Sequence, residues 1–301
     1  MTPRIYTALG FWLCLLYLPL AVQAQQDDSD KIDFVLLNQA ARLADLAYHP
    51  PSGIRRQAAG DEYRLHDLQV IDEIGLVFFV VSDDARKTHI LSIRGTANVE
   101  NAMLDMSAAL VRDAATGLYW HEGFAYAAQQ LLQRLQGTLN RDYRILTTGH
   151  SLGGALALIV AKMLQDDGYD IAQVITFGQP RVTNYAGARA LRSLDVLRVV
   201  TPLDMVPLTP PVDPLQLMQG KLDIYWHAGT ELLLLEGKHY AILQGMDSML
   251  RATRLDLNTL PQQLLGHHSM DAYLQGLRDK RDNAEQVAFE ADFSVFDMLG
   301  L

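Results

Sequence analysis

The sequence predicts an α/β fold, with a mainly parallel sheet covered by helices on both faces. Three observations point there. Between about residue 69 and residue 201, short runs rich in Val, Ile and Leu alternate with stretches whose apolar residues recur at helical spacing, the pattern of a parallel sheet whose crossovers are helices. The pentapeptide Gly149-His150-Ser151-Leu152-Gly153 falls where one of those strands should turn sharply into the next helix. Finally, 301 residues at 49% hydrophobic and 20% charged suit one globular α/β domain, which commonly fills a chain of this length.

The elements follow in order. Arg4 precedes an apolar run from Ile5 to Val22, and Val22-Gln23-Ala24 opens onto Gln25-Gln26-Asp27-Asp28. This reads as a secretory leader, residues 1–24, cleaved after Ala24, with 25–301 forming one exported domain, secreted or periplasmic. The competing reading is an uncleaved anchor helix, which about 18 apolar residues just reach. Cys14, the one cysteine, lies in the leader; the mature chain then has no disulfide, thiol nucleophile or zinc-thiolate site. Leu36 to Tyr48 is predicted as the first helix, ended by Pro50-Pro51-Ser52-Gly53. Gln69–Ser82 and Thr88–Arg94 are predicted as two strands joined by a tight turn at Asp83-Asp84-Ala85-Arg86. A helix is expected over Phe124–Leu139, a strand over Tyr143–Thr148, a helix over Ala155–Leu164 closed by Gly168, and strands at Gln173–Phe177 and Val196–Thr201. After about Gly276 the tail is more charged, with Phe289, Phe293, Phe296 and Leu299 at helical spacing, as in a terminal helix docking on the body.

A net charge of −10 without a Lys/Arg cluster argues against a nucleic-acid partner and disfavours anionic membrane surfaces. No apolar run after the leader is long enough to span a bilayer, and nothing in the sequence fixes an oligomeric state.

The chemistry is read from the pentapeptide. A serine on a tight strand-to-helix turn has a strained backbone. The residues two before and two after it must be small so that strand and helix can approach. The turn lifts the hydroxyl to the carboxyl edge of the sheet and aims the N–H groups of the next helix at a developing oxyanion. This is the nucleophile elbow of an α/β-hydrolase, with Ser151 as nucleophile, and a serine needs a histidine base oriented by a carboxylate. In that fold the acid follows the serine and the histidine follows the acid. Asp204 sits directly after Val196–Pro202, at a carboxyl strand end; Asp195, before the strand, and Asp213 and Asp223 compete. Of the histidines after Asp204, His227 and His239 are embedded in an apolar stretch, as structural histidines would be, while His267 and His268 lie at a loop-to-helix junction. Spacing does not choose between these two neighbours.

Over about Leu91 to Leu274 the chain resembles the class 3 lipases, which include fungal triacylglycerol lipases and plant acylhydrolases. The motifs stand in the family's order: Ile93-Arg94-Gly95-Thr96, His121-Glu122-Gly123-Phe124, Gly149–Ala157, Thr176-Phe177-Gly178-Gln179-Pro180-Arg181-Val182, Asp204-Met205-Val206-Pro207, and His268 with Tyr273 five residues on. The resemblance implies His268 rather than His267 as base, with oxyanion donors at Thr96 and Leu152. It also implies ester hydrolysis with no metal or organic cofactor, most closely by a triacylglycerol lipase, with phospholipase A1 or a small-ester esterase as alternatives. Val99–Leu110, where fungal members carry an aromatic lid, here bears Met103, Met106 and Leu110 on one helical face; either an acyl-pocket cover or an ordinary packed helix fits that face. A reading from another class is a hydrolase-like protein that binds a lipid or protein partner without catalysis; all three triad residue types in the required order argue against it.

Overall fold

A computed structural model describes residues 32–58, 63–96, 109–210, 224–252 and 266–288. The leader, Val99–Ala108 of the lid segment, Asp213, Asp223 and the aromatic residues of the tail lie outside them. Contacts gather the residues from Asp33 onward into one unit.

Asp33 caps the first helix, α1 (Phe34–Leu46): its Oδ1 accepts from the Val35 and Leu36 N–H groups, each at 2.9 Å, satisfying donors the first turn leaves free. The proline cluster does more than end α1. Pro51, free of the need for an N–H at the first helical position, opens a second helix, α2 (Pro51–Gln57). Strands β1 (Arg64–Ile71) and β2 (Leu76–Asp83) follow. The predicted single strand over 69–82 is thus two, broken by a 3-10 turn at Asp72–Ile74 that Gly75 closes at φ 62°. β2 turns at Asp83, whose Oδ1 accepts from the Arg86 N–H, into β3 (Thr88–Ile93). Next come β4 (Leu110–Arg112), β5 (Tyr119–His121), α3 (Glu122–Leu135), β6 (Arg144–His150), α4 (Leu152–Asp166), β7 (Ile171–Phe177), β8 (Thr183–Asn184), α5 (Tyr185–Ala190) and β9 (Val196–Val200). After these are β10 (Tyr225–Trp226), β11 (Thr230–Leu234), β12 (His239–Leu243), α6 (Met246–Ala252), α7 (Met270–Arg278) and β13 (Glu285–Gln286).

Among the described residues nine strands form the main sheet in the order β1-β2-β3-β6-β7-β9-β11-β12-β13. Its centre, from β3 through β6, β7 and β9 to β11, is parallel; β1 and β2 pair antiparallel with their neighbours, and β12 is antiparallel to β11 and parallel to β13. β2 is buried at every position and β6 at all but Arg144, as strands covered on both faces must be. On one face Leu91, Ile93, Ile145, Val174 and Val196 pack with the apolar sides of α3 and α4. Their alternating neighbours Ile90, Leu146, Ile175 and Leu197 are equally buried, and α1 packs against β6 and α7. β4, β5, β8 and β10 make a smaller antiparallel sheet. Because the central strands are parallel, the carboxyl ends of β3, β6, β7 and β9 come to one edge, and there the chemistry gathers.

Candidate active site

β6 ends at His150 and α4 begins at Leu152, leaving Ser151 alone on the turn at φ 59°, ψ −127°. A left-handed backbone at a non-glycine residue costs about 1–3 kcal/mol and persists only where its surroundings impose it. The surroundings here are steric: a Cβ on Gly149 would stand 2.5 Å from the Gly153 carbonyl and 2.8 Å from Ile93 O. Strand, turn and helix therefore close on one another only with glycine on both sides of the serine. Leu152 is the first residue of α4, so its N–H has no intrahelical partner. β3 delivers Gly95-Thr96 to the same place: a Cβ on Gly95 would lie 3.2 Å from Ser151 Cβ. Both expected oxyanion segments thus flank Ser151.

Asp204 follows β9 and is fully buried. Its Oδ1 accepts from the Val206 N–H at 2.9 Å; its Oδ2 accepts from His268 Nδ1 at 2.8 Å and from the Tyr273 hydroxyl. His268 is buried and His267, its neighbour, is exposed; the His267 carbonyl accepts from Thr201 Oγ1 at 3.3 Å. Only His268 meets the acid. Donation from Nδ1 leaves the His268 Nε2 as the lone-pair nitrogen, and that atom is buried without a hydrogen-bond partner. The His268 ring lies against the ring of His150, residue 151's immediate neighbour, with centroids 4.4 Å apart.

The diad approaches β7 so closely that only glycine fits beside it. A Cβ on Gly178 would lie 2.7 Å from Asp204 Oδ2 and 2.9 Å from His268 Nδ1, and its φ of 58° is left-handed as well. Tyr48, from the end of α1, hydrogen-bonds His150 Nδ1 at 2.8 Å. Burial, and then the neighbouring His268, hold the His150 pKa well below the usual histidine value, so His150 is neutral at pH 7. Burial above all, then Asp204, pushes the Tyr273 hydroxyl well above its ordinary range. It therefore stays a donor.

Sequence reasoning gave no role to Tyr48, His150, Gly178 or Tyr273. Gly178 and Tyr273 stand within the motifs quoted above, but their contacts with Asp204 are long-range and leave no periodic trace. Asp195 lies ahead of β9, at the opposite end from Asp204, and accepts from Gln173 Nε2 at 2.8 Å. His227 is buried, as expected of a structural histidine, and contacts Pro207 O at 2.6 Å.

With this geometry in view, the comparisons with known proteins fall into place. Residues 90–213 match the family model for lipase (class 3). Over this stretch the chain is similar to the class 3 lipases. Among curated relatives, it is 32% identical over 147 residues to Secreted mono- and diacylglycerol lipase 1 of Fusarium solani, a match spanning 46% of this chain and 44% of that one. It is 27% identical over 206 residues to Phospholipase A1 PLIP2, chloroplastic, of Arabidopsis thaliana, spanning 63% of this chain and 29% of the relative. The chain thus spans less than half the length of these relatives. Among solved structures, the Lip2 lipase of Yarrowia lipolytica superposes with a TM-score of 0.58 at 21% identity, covering 77% of this chain and 92% of that one. That likeness is one of fold. The matched segment carries most of β3, the elbow and Asp204, and the architecture is the α/β-hydrolase fold; His268, just ahead of α7, and Tyr273, on α7, lie beyond the matched segment.

Proposed function

We propose that this chain is a carboxylic ester hydrolase, most closely a triacylglycerol lipase, with Ser151 as nucleophile, His268 as base and Asp204 as the acid that orients it. The observation that carries the reading is the 2.8 Å hydrogen bond from His268 Nδ1 to buried Asp204, formed beside an elbow whose serine is held at φ 59°. Ser151 Oγ attacks the ester carbonyl as His268 Nε2 takes its proton, a contact that closes when substrate is bound. The oxyanion is received by the N–H groups of Thr96 and Leu152. The imidazolium returns the proton to the leaving alcohol, and water activated by the same histidine then releases the acid from the acyl-enzyme. Every step uses side chains, backbone N–H groups and water, and the chemistry needs no metal or organic cofactor.

The Fusarium relative's description as secreted supports export of this chain, with cleavage after Ala24 and residues 25–301 as one catalytic domain. Among the described residues no helix is long and apolar enough to cross a membrane. A lipid ester, met at a lipid–water interface, is the proposed substrate class. The likeness to a phospholipase A1 favours phospholipid hydrolysis as a second reading, and comparing rates on emulsified triacylglycerol, phospholipid vesicles and a soluble ester separates the two.

Ser151→Ala is expected to abolish turnover of a chromogenic ester and labelling by a fluorophosphonate while leaving the circular dichroism spectrum unchanged. His268→Ala should lower kcat by about 10⁴-fold or more and His267→Ala by less than about tenfold. Turnover surviving in Ser151→Ala would remove the nucleophile assignment, and a dead His267 variant beside an active His268 variant would move the base.

A further inference from the structure

The loop that carries the acid is gripped from behind. Four consecutive carbonyls after Asp204 each receive a side-chain or backbone donor from just two residues. Pro207 O takes His227 Nε2 at 2.6 Å, Leu208 O takes Arg181 Nη1, Thr209 O takes the Arg181 N–H at 2.8 Å, and Pro210 O takes Arg181 Nη1 at 2.5 Å. Val206, Pro207, Leu208 and Pro210 are buried, so these oxygens have to find partners inside the protein. Pro207 and Pro210 have no N–H, and the loop's own regular structure is one 3-10 turn at Val206–Leu208. The four carbonyls from Pro207 to Pro210 are therefore held from outside the loop.

We propose that Arg181 and His227 are positioning residues that lock the 207–210 loop and thereby set where Asp204 meets His268. This rests on the triad reading above. Arg181 is fully buried, and burial first, then Arg198, lowers its pKa to about 9. It remains a cation at pH 7, yet Glu231, the one carboxylate in its field among the described residues, already holds Arg198 and Arg251. Its charge is spent on backbone oxygens rather than on an ion pair. A desolvated guanidinium is a costly filler for a core, and what its Nη1 holds is the segment starting four residues after the acid. Asp204 is tied to Val206, just ahead of that segment, by the Val206 N–H. The strap bearing Arg181 also starts at Gly178, the residue that leaves room for the Asp204–His268 contact. One four-residue strap thus touches the diad at its first residue and the acid loop at its last. Lysine in place of Arg181 would keep the charge and the main-chain N–H but not the rigid guanidinium geometry that sets Nη1 between Leu208 O and Pro210 O; phenylalanine in place of His227 would keep the ring volume and lose the N–H.

The test uses the full chain carrying Arg181→Lys or His227→Phe, active sites counted by a fluorophosphonate, and kcat and KM measured on a soluble chromogenic ester. Arg181→Lys is expected to lower kcat per counted site by about 10–100-fold with KM within about twofold, since small misplacement of a catalytic group costs that much. The low-field proton resonance of the His268–Asp204 hydrogen bond should shift or vanish. His227→Phe should lose about tenfold in kcat. In an Asp204→Asn background either substitution should have little further effect on kcat, because both act through that carboxylate. Unchanged kcat per counted site with the low-field proton intact, whatever happens to Tm, would overturn the proposal. So would full additivity with Asp204→Asn. If Arg181→Lys yields no folded protein, His227→Phe decides by the same readouts. A wild-type chain that neither turns over esters nor labels would instead sink the hydrolase reading, an outcome separate from failure of the clamp.

Discussion

Asp204 and Glu231 are both fully buried carboxylates, and they are satisfied in opposite ways. Glu231, on β11, takes Arg198 from the neighbouring β9 strand at 3.2 Å, Arg251 from α6, and the Ser248 hydroxyl at 2.6 Å. Burial pulls its pKa up, but Arg251 and Arg198 outweigh that and the net shift is downward. Its charge is matched by permanent cations and can do nothing further. Asp204 takes a backbone N–H, a tyrosine hydroxyl and an imidazole, of which only the imidazole can become a cation. The contrast teaches how one chemical group serves two ends. A carboxylate closed by guanidiniums ties a helix to a sheet, whereas one closed by neutral donors holds its charge in reserve for the imidazolium that forms during acyl transfer.

Isosteric neutralisation of each acid breaks or sharpens this contrast. Asp204→Asn should cut kcat by about 10⁴-fold, the largest effect here, while thermal stability moves little because the amide still accepts a hydrogen bond. A stability loss without a kinetic one would erase the distinction. Glu231→Gln should do the reverse, removing about 3–5 kcal/mol of unfolding free energy because two guanidiniums are left buried without their anion. Urea unfolding measures it, and kcat per fluorophosphonate-counted site should stay near wild type. A Glu231 variant as stable as the parent would mean that the cluster contributes nothing net.

A smaller effect comes from histidines held neutral. Burial first, then His268, depresses His150; burial first, then Arg198 and Arg181, depresses His227; burial first, then His66, lowers His89 to about 4. As pH falls below about 6.5, the unfolded chain takes up protons that these folded imidazoles refuse, so unfolding becomes easier. Stability should decline from pH 7 to pH 5 and continue down towards pH 4, where His89 protonates in place. Glu231, depressed instead, adds stability that is present above about 4.5 and lost as pH falls through its lower folded value. Urea midpoints that stay flat between pH 7 and pH 5 would contradict the histidine assignment.

Much of this was legible in the chain of residues. Leu36–Tyr48, Phe124–Leu139 and Ala155–Leu164 read as helices and overlap α1, α3 and α4, because a helix face repeats locally and burial enforces the repeat. The break inside 69–82 was missed. Its apolar residues resume at Ile74 and Leu76, so the turn is marked only by the acidic pair Asp72-Glu73 and by Gly75, left-handed in the structure. The 50–53 cluster was read as a stop because proline ends helices more visibly than it begins them, although it suits the first position of α2.

What the sequence determined by itself was the α/β layering and the strained serine, since glycine spacing, strand runs and helix faces are set by neighbours within a turn or two along the chain. Spacing along the chain left open which of two adjacent histidines meets Asp204; the resemblance implied His268, and it is the folded chain that brings His268 to the acid. Tertiary structure also brought Tyr48 to His150, Tyr273 to the acid, and Arg181 and His227 to the loop behind it. Those choices depend on the direction of side chains brought together across as many as 102 positions, and no local period encodes a direction that exists only once the sheet has formed.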